Sequence, residues 1–150
     1  NYSLKQLKKT QEKQAELGLE VDKFVLKFEI TSRKNHPNSS KIKMISDDEA
    51  SVGYDIRSYL GDDSIILDKY IEVKSYSKKL STTKKPYFYW SANELETSKV
   101  EKENYFLYLV DRDEMSSKEY VPTMIKDPYK NVFKSNLWGK SPDSWYLLEN

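Results

Sequence analysis

The sequence predicts an α/β fold, with a central mixed β-sheet flanked by helices and preceded by an N-terminal helical segment. Three observations predict it. Leucines and glutamines recur at helical spacing from Leu4 to Leu17, and short runs of alternating polar and apolar residues begin near residue 41. One of those runs then passes through a capped helix into the next, which suits a parallel strand pair inside a mixed sheet.

Each element follows from local chemistry. Residues 3–17 read as an amphipathic helix, with Leu4, Leu7, Gln11, Gln14 and Leu17 between lysines and glutamates. Gly18 interrupts the pattern, and a second helix is expected from about Glu20 into the low thirties, with Val21, Phe24, Val25 and Phe28 as its apolar stripe. Residues 33–40 form a loop by composition, with Asn35, Pro37 and Asn38. Strands are expected over 41–46, 53–60 and 69–75, the last two separated by the turn residues Gly61, Asp62 and Asp63. A lysine-rich loop leads to a strand at 87–90. Ser91-Ala92-Asn93-Glu94 spells a capping box, since a serine can accept from the third helical amide while the glutamate reaches back. The helix it opens precedes strands at 105–110 and 120–125. Pro128 begins an irregular tail, whose Trp138 and Trp145 are expected to cover a sheet edge. The reading is one domain with one sheet: 1–17 as N-terminal helix, 18–128 as core and 129–150 as C-terminal extension.

Composition excludes several function classes. With no cysteine there is no disulfide, zinc ribbon, iron–sulfur site or thiol nucleophile. The single histidine, His36, excludes a site built from two imidazoles, and its polar loop marks it as inert. No glycine-rich phosphate loop occurs. A net charge of +1 gives no long-range field, so nucleic acid would have to be met by a local basic patch. No apolar run approaches the ~20 residues of a membrane span, and a cytoplasmic, intracellular setting without membrane contact is expected. The chain begins with Asn1 and not Met, which reads as a domain of a longer protein whose other domains are partners.

The residues that carry chemistry are Asp55, Glu72 and Lys74. Glu72 and Lys74 stand two apart on a strand and project from one face, while Ile71 and Val73 point into a core. Charged neighbours on a covered sheet face are costly unless something pairs with them. Asp55, at the start of the preceding strand, is placed to share a cation with Glu72. Two carboxylates with water and phosphate oxygens suit Mg²⁺, with Mn²⁺ as a substitute, and Lys74 would position the attacking water or stabilise developing charge. Between Lys69 and Pro86, six lysines (Lys69, Lys74, Lys78, Lys79, Lys84 and Lys85) face Glu72 as the sole acid. Lys78, Lys79, Lys84 and Lys85 are the candidate nucleic-acid contacts, and Tyr76, Tyr87 and Trp90 the candidate base-stacking aromatics.

The pattern Asp55, then Glu72-Val73-Lys74 resembles the PD-(D/E)XK nuclease superfamily, with Tyr54 in place of the nominal proline. Gly53-Tyr54-Asp55-Ile56, Ile71-Glu72-Val73-Lys74, Trp90-Ser91-Ala92-Asn93-Glu94-Leu95 and Asn104 to Val110 together resemble the domain at the C-terminus of the plant protein NO VEIN, over about Leu17 to Pro128. That family is regarded as restriction-endonuclease-like in fold. The resemblance implies a restriction-endonuclease-like core acting on nucleic acid, DNA rather than RNA, in a restriction, anti-phage defence or DNA-processing protein. It also implies a further acid on the preceding helix, where the family carries a Gly-Glu pair. In that frame Asp22 stands in the glutamate's place and is the candidate supporting catalytic residue, with Glu20 as the fallback; Glu29 lies on the same helix face as Asp22.

Blander readings stand beside these. Glu72 and Lys74 also suit a plain salt bridge, Asp55 a strand-end residue holding backbone amides, and Glu94 a helix cap alone. Asp22 and Glu29 also suit a solvated helix face. The alternative function is a catalytically inactive nuclease-fold module that binds nucleic acid or a partner within a helicase, methyltransferase or ATPase system. A pure interaction domain would instead expose the tail aromatics as a patch.

Overall fold

The structure, a computed structural model, describes residues 3–45, 52–81, 84–141 and 144–148. It opens with one helix, α1 (Leu4–Ser32), where the sequence suggested two. At 1.5 Å per residue its 29 residues span roughly 43 Å. Ser3 and Gln6 close a capping box at its start: the Ser3 hydroxyl accepts from the Gln6 amide at 3.2 Å, and the Gln6 side chain accepts from the Ser3 amide at 3.0 Å. The helix runs through Gly18 because a mid-helix glycine costs only ~1 kcal/mol against alanine, too little to break turns that propagate on both sides. Residues 3–20 are exposed throughout, and only from Val21 does α1 bury a face.

Strands β1 (Lys43–Met44), β2 (Ile56–Ser58), β3 (Lys69–Tyr76), β5 (Tyr105–Asp111) and β6 (Thr123–Lys126) form a mixed sheet in the order β1-β2-β3-β5-β6. The predicted strand over 41–46 is β1, and Ser46 lies outside the described residues. β3 and β5 are parallel, with Glu72 opposite Leu107 and Lys74 opposite Leu109, while the other three pairings are antiparallel. The crossover carries β4 (Tyr87–Phe88) and α2 (Ala92–Glu101), whose capping box is formed as the sequence indicated. The parallel pair, the mixed sheet and the flanking helices agree with the predicted α/β class.

The expectation of a single sheet does not hold. β4 joins β7 (Trp138–Lys140) and β8 (Trp145–Leu147) in a second sheet, ordered β4-β8-β7, reached through a π-helical turn at Tyr129–Phe133. Three-residue strands carry too little alternation to be seen in the tail, and pairing with a segment about sixty residues upstream is invisible locally.

Strand alternation divides the core between the two faces of the main sheet. On one face Ile71, Val73, Tyr108 and Val110 pack with Val21 and Val25 of α1. On the other Tyr76, Leu107 and Leu109 pack with Phe88, Val132 and Trp145. Tyr76 is buried, and Tyr87, Trp90, Trp138 and Trp145 join this second cluster. Tyr76 is too deeply covered to stack on a base and serves packing, while Tyr87 and Trp90 pack against the second cluster with part of each residue still exposed.

His36 is buried at 4% exposure. Its ring stacks on Tyr59 at 3.7 Å, its Nε2 donates to the Ser64 carbonyl at 2.8 Å, and its Nδ1 accepts from the Asn38 amide. It pins the loop after α1 to the loop after β2, a structural task that its polar neighbours concealed.

Candidate functional site

The site is built around β3. Its even positions share the face covered by α2 and the second sheet, so Glu72 and Lys74 emerge side by side there, as the two-residue period requires. Glu72 is 3% exposed. The Lys74 Nζ lies 3.3 Å from the Glu72 Oε2 and 2.7 Å from the Glu94 Oε1.

Asp55 precedes β2 and continues its pairing by one residue. Its amide donates to the Ile71 carbonyl and its carbonyl accepts from the Ile45 amide, each at 2.8 Å. The Asp55 Oδ2 accepts from the Val73 amide at 2.8 Å and the carboxyl group also meets Glu72. The approach to Asp55 depends on Gly53, at φ +82°, where a Cβ would lie 2.2 Å from the Thr97 hydroxyl of α2. The Tyr105 hydroxyl donates to the Gly53 carbonyl at 2.8 Å and fixes this corner from β5. The Gly53-Tyr54-Asp55 run thus lets a backbone pass close beneath α2 and deliver one carboxylate beside β3.

Glu94 is the functional candidate that the sequence reading missed as such. Its Oε1 accepts from the Ser91 amide at 3.1 Å while bonding Lys74, so the cap and the ion pair use one carboxylate. The cap motif located the residue; nothing local indicated that the first turn of α2 would land against β3.

Asp22, on α1, lies within the electrostatic field of Asp55 and Lys74. Burial, then the Asp55 charge, pushes its carboxyl up to about 7, against the pull of Lys74. Burial likewise raises Asp55 despite the Val73 amide and Lys74, and raises Glu72 well above its ordinary value, with the charges of Asp55 and Glu94 adding. Burial pushes Lys74 down, but Glu72 and Glu94 outweigh it and hold the ammonium above its usual range. The Lys74 ammonium thus touches two carboxyl groups, Glu72 and Glu94, and its charge also reaches Asp55 and Asp22. A divalent cation bound there would have to displace the protons that burial leads the raised Asp22 and Glu72 carboxyls to hold.

Glu29 goes elsewhere. On the other face of the sheet its carboxylate meets Lys69 at 2.9 Å, the Tyr108 hydroxyl at 2.6 Å and the Ser58 hydroxyl at 2.7 Å. Burial raises its carboxyl, but Lys69 and the hydrogen bonds prevail and hold it below its ordinary value. The solvated-face reading of Glu29 fails, because its carboxylate is fully partnered inside the core. The basic cluster is smaller than its sequence count for the same reason: Lys69 is buried against Glu29, and Lys74 belongs to the acidic site. Lys78, Lys79 and Lys84 remain together around one hollow. Asp113 staples their loop, accepting from the Ser77 hydroxyl and the Lys79 amide at 2.9 Å. Lys85 is half-buried beside them, and Glu20 is exposed on α1.

A family model described as Protein NO VEIN, C-terminal, matches residues 21–124. The chain belongs to this family. The match begins at Val21, where α1 first meets the sheet, and ends within β6, so it covers Asp22, Asp55, Glu72, Lys74 and Glu94. The family is defined on the C-terminal part of its namesake, which places domains of this kind within larger proteins. No curated protein and no solved structure matches the chain. Among the described residues, no helix is long and apolar enough to cross a membrane, and no group of three or more histidine, aspartate or glutamate side chains is placed to hold a metal ion.

Proposed function

We propose that this NO VEIN C-terminal domain is a PD-(D/E)XK-type, metal-dependent nuclease module of a restriction, defence or DNA-processing protein. The observation that carries the reading is the meeting of Asp55, Glu72 and Lys74 on neighbouring strands, with Glu94 and Asp22 close by. Asp55 and Glu72 offer oxygen ligands only, which suits Mg²⁺ or Mn²⁺, and a cation of this type keeps water and substrate oxygens for its remaining positions. The two carboxyl groups act directly on each other's protonation, which supports one ion answering to both. Bound there, the ion would polarise a phosphoryl oxygen and lower the pKa of a water.

The protein groups have separable tasks. Glu94 and Glu72 keep Lys74 protonated and aimed, so that its charge is available to phosphate oxygens as they gain negative charge. The Val73 amide holds Asp55 in place. Lys78, Lys79 and Lys84, on the loop that follows β3, would meet the phosphates of the flanking nucleic acid, DNA in preference to RNA.

The test is nicking of supercoiled plasmid in Mg²⁺ by the wild type, Asp55→Asn and Lys74→Met. Cleavage by the wild type and loss of at least a hundredfold in both variants supports the reading, while equal cleavage by all three refutes it. A second reading, an inactive binding module on the same fold, is favoured by one observation: Lys74 is already claimed by two carboxylates and Glu72 is almost wholly covered. Its signature is lysine-dependent DNA binding without cleavage in either metal.

A further inference from the structure

A second region, on the opposite side of the main sheet from Glu72, has the features of a recognition surface. Between α1 and the turn after β5 lies a hollow of about 360 Å³, floored by Phe24, Phe28, Met115 and Tyr120 and rimmed by Lys27 and Lys118. Phe24, Lys27 and Phe28 sit at i, i+3 and i+4, so one helix face supplies both the apolar floor and a cation. The floor is built into the fold. Its four residues pack against the core beneath α1, the Phe24 and Tyr120 rings lie 6.0 Å apart, and the Tyr120 hydroxyl is fixed by accepting from the Asp111 amide at 2.7 Å. Lys27 and Lys118 are exposed, and neither has an acidic partner among the described residues.

The hollow has a neighbour of opposite sign. A second depression, of about 340 Å³, shares Ser117 and Tyr120 as its wall and carries Glu114 and Glu119. The two together present an apolar floor with cationic residues on one side of the Tyr120 wall and anionic residues on the other. A compact ligand would occupy only one side of the Tyr120 wall. An extended chain reaches both, since alternate side chains of a strand project on one side about 7 Å apart.

We propose that this surface docks an extended peptide segment of a partner protein. The segment lays an aromatic or bulky aliphatic side chain on the floor formed by Phe24, Phe28, Met115 and Tyr120, sets an acidic side chain against Lys27 and Lys118, and turns a basic one toward Glu114 and Glu119. The proposal is independent of whether the acidic site cleaves nucleic acid, because it uses none of those residues. Buried aromatic anchors supply most of the affinity in such contacts, and the rim charges set orientation and partner choice.

The experiment is an NMR titration of the ¹⁵N-labelled chain with three probes: the peptide Ac-Glu-Ala-Trp-Ala-Lys-NH₂, whose three contacting side chains share one side of an extended chain, its neutral counterpart Ac-Gln-Ala-Trp-Ala-Gln-NH₂, and indole-3-acetate. The expected result is saturable shifts confined to residues 24–31 and 114–121, with at least tenfold weaker binding of the neutral peptide and of indole-3-acetate. Lys27→Glu with Lys118→Glu, both at exposed positions, is expected to weaken the charged peptide at least tenfold while shifts elsewhere in the spectrum stay unchanged. Equal binding of the neutral peptide would reduce the surface to an apolar patch, and equal binding of indole-3-acetate would make it a small-anion site. Either result, or the absence of saturable shifts there, overturns the proposal.

Discussion

The Lys74 ammonium lies 2.7 Å from the Glu94 carboxylate, which joins the middle of β3 to the first turn of α2. The same oxygen caps the helix through the Ser91 amide. Helix start and candidate site are thereby linked through a single side chain, and two substitutions separate the tasks. Glu94→Gln keeps an oxygen for the Ser91 amide but removes the charge beside Lys74. It is expected to preserve the helix and lower the Lys74 pKa, read by NMR titration of its side-chain amine. Ser91→Ala loses the hydroxyl cap and is expected to cost about 0.5–2 kcal/mol in urea unfolding, with little effect on Lys74.

Asp22 gives the acidic corner a pH signature. Its carboxyl rises from 3.8 to about 7 on folding. Between those values the folded chain holds a proton that the unfolded chain has lost, so this contribution to stability is complete below about pH 4 and disappears as pH rises through 7. The urea midpoint is expected to fall between about pH 5 and pH 7.5, and Asp22→Asn to flatten that fall. A midpoint that rises over the interval and is indifferent to Asp22→Asn would contradict the assignment.

Glu29 and Lys69 form a buried ion pair, for which truncating one partner strands the other. Glu29→Ala is expected to destabilise the fold by about 3–5 kcal/mol. Glu29→Gln combined with Lys69→Met, which removes both charges, is expected to cost markedly less than Glu29→Ala. Because the Glu29 carboxyl is held below its ordinary value, its share of stability is present above that value and is lost as pH falls through the depressed one. Denaturant curves of the two variants and of the wild type in acid check both statements.

The stapled basic loop sets the salt dependence of nucleic-acid binding. Replacing Lys78, Lys79 and Lys84 together by alanine is expected to weaken duplex DNA binding evenly across sequences. The slope of log K against log salt should fall by roughly 2–3, since each phosphate contact contributes about 0.9. Fluorescence anisotropy over a salt series measures it, and an unchanged slope would remove these lysines from the interface.

How much of this was legible in the sequence depends on the range of each contact. Glu72 and Lys74 could be placed side by side because strand alternation is local, and Asp55 beside them because β2 and β3 are consecutive antiparallel strands. Glu94 was located as a cap but not as a partner of Lys74, since that contact depends on how the crossover helix folds back over the sheet. Lys69 looked like part of a basic loop because its neutralising partner, Glu29, lies forty residues upstream. Gly18 reads as a break because the local pattern weakens there, yet the helical turns on both sides carry through it. The second sheet escaped detection because Trp138 and Trp145 sit in strands too short to show a period.

Binding of Mn²⁺ to the chain, followed by electron paramagnetic resonance as free ion disappears, tests the acidic corner most directly. One ion per chain is expected for the wild type, lost in Asp55→Asn and in Glu72→Gln and retained in Lys84→Ala. No binding by the wild type, or binding untouched by the Asp55 and Glu72 substitutions, would contradict the reading of this corner as a cation site.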